Sequence, residues 1–234
     1  MTNKNITKCM MLGAGILLVS TQLSVGTSEA AHSTPPYLPA PSPTDITAGS
    51  PLLAAAEPFE ALTEMAFSVP GPRVDSAIAT ADAATMRVRS SLSQASAAQL
   101  DAWLAVVHQA SKSDDRAALA LSSVEAYRIL VSDAPPGKVP TAVSLMDYAG
   151  MRYDADFRAM PIRWPDMKEA AMYAHEQWNS ISDKITDTTL RERVDAAVTD
   201  MEVGADLQNT FKARRSVTAE QELVDELEGY FAKH

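Results

Sequence analysis

From residue 52 to the C-terminus, apolar positions recur at helical spacing with little interruption. Leu100, Leu104 and Val107 fall on one face at intervals of four and three. No run of alternating β-branched residues occurs, and glycine is scarce. The pattern predicts eight helices: Leu52–Phe67, Val74–Leu92, Ala95–Ser111, Asp114–Ser132, Thr141–Met160, Asp166–Ile185, Thr188–Arg214 and Thr218–Ala232. Val69-Pro70-Gly71-Pro72 stops the first. Ser113-Asp114-Asp115 supplies the start of the fourth. Ala134-Pro135-Pro136-Gly137 separates the fourth from the fifth, and Pro161 and Pro165 separate the fifth from the sixth. Thr218-Ala219-Glu220-Gln221 reads as a capping box that opens the eighth.

The expected fold class is therefore all-α, an antiparallel bundle of seven or eight helices in one domain over residues 52–234. A weak internal repeat accompanies it. Ser122 to Tyr127 matches Asp225 to Tyr230 at an offset of 103, and Leu100, Leu104 and Val107 echo Leu190, Val194 and Ala197 at an offset of 90. The two offsets require about thirteen residues inserted between the matches in the second copy. The halves would be helical hairpins joined through the fifth and sixth helices.

The first thirty residues follow a different pattern. Lys4 and Lys8 begin the chain, Cys9 to Val25 is mostly apolar, and Ser28-Glu29-Ala30 places small residues before Ala31. This is the layout of a cleaved secretory signal peptide over 1–30. Ser20, Thr21 and Gln22 break the apolar run, so a stable membrane span is not expected after cleavage. Residues 31–51 hold six of the fourteen prolines and read as an extended, disordered linker. The expected location is periplasmic or secreted.

Composition narrows the chemistry. Cys9 is the single cysteine, so a mature chain has no disulfide, thiolate metal site or cysteine nucleophile. Cleavage removes two lysines and one glutamate from a net charge of −10, leaving −11. Such an acidic protein repels nucleic acid. No glycine-rich phosphate loop, Gly-x-Ser-x-Gly elbow or His-Glu-x-x-His motif is present. A di-iron Glu-x-x-His pattern fails because Met172 stands three residues before His175.

The densest polar stretch is LMDYAGMRYDADFR, residues 145–158. Projected on a helix, Met146, Gly150, Tyr153 and Phe157 form a core stripe, and Gly150 admits a close helix. Asp147, Met151, Asp154 and Arg158 form the adjacent stripe, with Asp154 and Arg158 spaced for an ion pair. Asp156 falls on the other flank and is expected to be solvated. Asp147 and Asp154 lie roughly 10 Å apart along the axis, too far to chelate one ion alone. Met172 and His175 share a face one turn apart, and clustered thioether and imidazole suit a soft metal ion. The candidate metal ligands are thus Asp147, Met151, Asp154, Met172, His175 and Glu202, with copper, iron or zinc as the ion. The competing reading of the methionines is core filling, and of the aspartates a structural network with arginines and tyrosines. Functionally the expectation is an exported binding or accessory protein for a metal cation or small cofactor. The alternatives are a protein–protein module of an envelope complex, and an enzyme using Asp147, Asp154 and His175 as acid–base groups.

Overall fold

The computed structural model describes residues 50–69 and 71–234. The expected signal peptide and all but the last two residues of the expected linker lie outside the described residues. Eight α-helices follow: α1 (Pro51–Met65), α2 (Gly71–Val88), α3 (Gln94–Ser113), α4 (Arg116–Asp133), α5 (Thr141–Arg158), α6 (Trp164–Asn179), α7 (Thr188–Asp206) and α8 (Thr210–Lys233). Short 3-10 turns at Arg89–Ser91 and Ser182–Lys184 take up the ends of the longer second and sixth helices that periodicity predicts. Among the described residues there is no strand, and no helix is long and apolar enough to cross a membrane.

The termini of the helices follow local chemistry. Pro51 occupies the first turn of α1, where its missing N–H costs nothing. Ser93, Asp115, Asp187 and Asn209 each accept a hydrogen bond from the backbone N–H three residues on, capping α3, α4, α7 and α8. At the α3–α4 corner, Asp114 takes a left-handed conformation (φ 53°), with Asp115 N–H donating to Ala110 O at 2.9 Å. At the α7–α8 corner, Gln208 does the same (φ 49°), with Asn209 N–H donating to Gly204 O at 2.9 Å. Both are Schellman-type ends, each followed at once by an N-cap.

This second corner corrects the expected seventh and eighth helices. The chain does not run straight through to Arg214. It breaks at Leu207–Asn209, and α8 begins eight residues before Thr218. The Thr218 hydroxyl donates back to Arg214 O at 3.0 Å within α8, so it caps nothing.

Consecutive helices pack on each other throughout, and two further contacts, α1 on α4 and α5 on α8, close each set of four. The halves are therefore α1–α4 and α5–α8, joined chiefly across α4 and α5, not hairpins joined through the fifth and sixth helices. The starts of α3 and α7 lie 94 residues apart, as do those of α4 and α8. One offset relates both pairs, and no thirteen-residue insertion separates them.

The main core runs through both halves, with Phe59, Leu62, Leu100, Leu119, Leu130, Met146 and Trp178 among its buried residues. A smaller cluster around Tyr153, Met167, Ala170, Ala171, Met201, Ala213 and Val217 fills the space between α5, α6, α7 and α8. Alanines there let the helices approach. At Gly204 the backbones come close enough that an added Cβ would stand 2.9 Å from Ala213 N. Met146, Met151, Met167 and Met201 are all buried, which is the core-filling role.

α5 is the hub. It packs against α4, α6 and α8, with a lighter contact to α1. The predicted core stripe is found there: Met146, Gly150 and Tyr153 are buried and Phe157 is partly so. Gly150 also has its predicted use, because a Cβ there would collide with the Glu220 carboxylate of α8. Asp156 departs from expectation. It is 0% exposed, paired with Arg163 Nη1 at 3.2 Å and Arg152 Nε at 3.8 Å. A helix surrounded on three sides has no free flank for it.

Candidate functional site

The six candidate ligands do not converge. Asp147, Met151 and Asp154 line a cleft of about 250 Å³ between α1, α5 and α8. Met172, His175 and Glu202 line a separate groove of about 840 Å³ between α6 and α7. The face of α5 that carries the first three turns toward α1 and α8, whereas the face of α6 that carries Met172 and His175 turns toward α7. No group of three or more His, Cys, Asp or Glu side chains able to hold a metal ion occurs among the described residues. An acid–base site built from Asp147, Asp154 and His175 together is likewise not assembled.

The α1–α5–α8 cleft is strongly acidic. Glu60, Glu64, Asp147, Asp154, Glu222 and Asp225 all line it. Asp154 is paired with Arg158 at 2.8 Å, as its spacing predicts. Asp147 accepts a hydrogen bond from the Tyr127 hydroxyl at 2.8 Å. Burial pushes the Asp147 carboxyl up to about 7, with Glu60, Glu228 and Asp225 adding repulsion and the Tyr127 hydroxyl opposing them. Burial also raises Glu60 and Glu228. Nearby Glu220 is 0% exposed, and neither of its carboxylate oxygens has a hydrogen-bond partner. Burial, followed by the field of Asp147, holds it well above the usual carboxylate range. Asp147 thus holds its proton toward neutral pH, which lessens the charge crowding in the cleft.

A second polar cluster was not foreseen as a unit. Glu125 of α4 accepts from Tyr148 Oη at 2.8 Å and Arg152 Nη1 at 3.0 Å, both on α5, and from Arg128 Nε at 2.9 Å. The Arg128 guanidinium lies 5.7 Å from the Tyr148 ring centre, and Tyr148 meets Tyr173 of α6 edge-on at 5.6 Å. The available clues were two helical spacings, Glu125 to Arg128 and Tyr148 to Arg152. Nothing in either says that the two pairs face each other.

The α6–α7 groove differs in having side chains to spare. His175 Nδ1 lies 2.6 Å from Glu202 Oε1 across the two helices. One carboxylate thus orients the ring, and Nε2 is the nitrogen left for a ligand. Met172, one turn earlier, is 55% exposed and lines the same groove. Lys168 is engaged with Asp206 at 2.6 Å. Glu169, Tyr173, Glu176 and Asn179 complete the wall.

Comparison of the chain with protein-family models, with curated proteins and with solved structures gave no match.

Proposed function

We propose that the protein is an exported helical binding protein that holds a transition-metal cation in the α6–α7 groove. The observation that carries this reading is the His175–Glu202 contact of 2.6 Å. A carboxylate on one ring nitrogen fixes the tautomer and aim of the other, as carboxylates commonly do behind a metal-binding histidine. Met172 beside it adds a soft donor. The acidic walls, Glu169 and Glu176 among them, favour a cation over an anion. Export rests on the first thirty residues, and N-terminal sequencing of the envelope fraction should begin near Ala31 or His32; an intact Met1 there would refute it.

The binding test is thermal melting of the mature protein with copper, zinc, nickel and iron salts. A metal that binds only the folded chain raises the melting temperature. His175→Gln should remove that rise, whereas Asp154→Ala, in the other cleft, should retain it. Indifference of the wild type to all four metals, and to silver(I) as well, would end the metal reading.

A second reading, the protein–protein module, rests on the α7–α8 corner. Leu207 and Phe211 are 68% and 78% exposed there, and Phe211, Arg214 and Arg215 line a shallow cavity of about 420 Å³. If that corner is an interface, replacing Leu207 and Phe211 by serine should release the protein from its envelope assembly without changing its melting temperature.

A further inference from the structure

We propose that Met172 and His175 together bind a soft monovalent ion, Cu(I) or Ag(I). This rests on the α6–α7 groove being a metal site and names the class of ion that it takes.

The geometry suits one ion shared by two side chains. Positions three apart on a helix have Cβ atoms roughly 5–6 Å apart. A single ion bound to both the thioether and the ring nitrogen can bridge that gap. Both side chains reach into the same groove, and Glu202 on Nδ1 leaves Nε2 as the ligating nitrogen.

The donor set decides between ion classes. A hard or borderline dication needs four or more ligands, mostly oxygen or imidazole. The described residues offer no cluster of three such groups anywhere. A soft monovalent ion is satisfied by about two or three ligands and is the class that thioethers select. Met172 is also unusual within this chain. Among the described residues four methionines are buried as packing, and the exposed ones are Met86, Met160 and Met172. Of these, Met172 shares a cavity wall with a histidine. A thioether needs no deprotonation and forms no disulfide, so it remains a ligand in an oxidising compartment where a thiol would not. Lys168 does not oppose the ion, since its charge is held by Asp206.

The test is titration of the mature protein with silver nitrate in chloride-free buffer, followed by NMR of methionine methyl groups and histidine rings. Silver(I) is the stable stand-in for copper(I). One equivalent should move the Met172 methyl and the His175 ring together. Met172→Leu, which keeps the shape and loses the sulfur, should weaken silver binding at least about tenfold, and Glu202→Gln by about 10–100-fold through loss of ring orientation. Because position 172 is exposed, the Met172→Leu variant should fold normally, and an unchanged circular dichroism spectrum checks that. Silver that shifts only Met86 or Met160, or that binds the Met172→Leu variant as well as the wild type, overturns the proposal. Zinc bound at His175 while silver leaves Met172 unmoved overturns it too, but preserves the broader metal-binding function. Failure of both ions to shift His175 ends both.

Discussion

Glu220 is the group whose replacement should be most informative about the core. It is fully buried between α8 and Gly150 of α5, and neither oxygen meets a donor. Burying an ionised carboxylate without a partner costs several kcal/mol, so the folded chain keeps the proton. The consequence for stability has an uncommon sign. Below about pH 4.5 the group is protonated in folded and unfolded chains alike, and no penalty arises. As pH rises, the unfolded chain ionises while the folded chain does not. Stability then falls by about 1.4 kcal/mol per pH unit until the raised folded value is reached. At pH 8 the loss can reach roughly 5 kcal/mol and no more, since the ordinary value is near 4.5. Glu220→Gln mimics the protonated form and cannot ionise. It should be nearly neutral at pH 4.5 and stabilising at pH 8, by up to that ceiling of roughly 5 kcal/mol. In a chain of this size that is roughly 2–4 °C of melting temperature per kcal/mol. Asp147 and Asp156, both pushed up to about 7 by burial, give the wild type a slope of the same sign. The difference between wild type and variant isolates Glu220. Melting curves followed by circular dichroism at pH 4.5, 6, 7 and 8 measure it. A difference that stays constant across that range would refute the reasoning, because it would mean that Glu220 ionises equally in both states.

The α7–α8 corner is tested by a pair of substitutions. Asn209→Ala removes the N-cap of α8 and should cost about 1 kcal/mol, while Thr218→Ala should be close to neutral; the reverse order would restore a helix start at Thr218. Glu125→Ala leaves the donors of Arg128, Tyr148 and Arg152 without their acceptor and should cost about 1–3 kcal/mol in urea unfolding. Arg152→Ala on top of it should then cost less than it does alone.

Much of the fold was legible because most helices here are amphipathic and punctuated. Proline clusters at 69–72, 135–140 and 161–165 end helices by removing donors, and the structure breaks at each. The α7–α8 corner carries no such mark. Its left-handed position is filled by Gln208, where glycine or asparagine would have announced the turn. Leucine and phenylalanine on either side, Leu207 and Phe211, keep the apolar rhythm going through the break. The α3–α4 corner has the same geometry and was readable only because Ser113-Asp114-Asp115 happens to spell a start signal.

On α5 the contacts fit the structural-network reading of the polar stretch, and the departure, buried Asp156, has a different cause. Projection onto a wheel sorts residues into a core face and a solvent face, which assumes that a helix has a solvent face. α5 is packed on several sides, so each polar side chain there meets its own neighbour. Asp147 takes the Tyr127 hydroxyl of α4, Tyr148 and Arg152 take Glu125, and the Tyr153 hydroxyl donates to Met201 O of α7 at 3.0 Å. Asp156 takes Arg163. The density of charge on this helix reflects its central position between the two halves, because most polar groups brought inside take a partner. A ligand site needs the opposite condition, donors that remain free after the protein has satisfied its own. On α6, exposed Met172 and the second nitrogen of His175 are the groups that would meet that condition. Their spacing was visible in the sequence, but their availability depends on α7 supplying Glu202 to one nitrogen of the ring and leaving the other open.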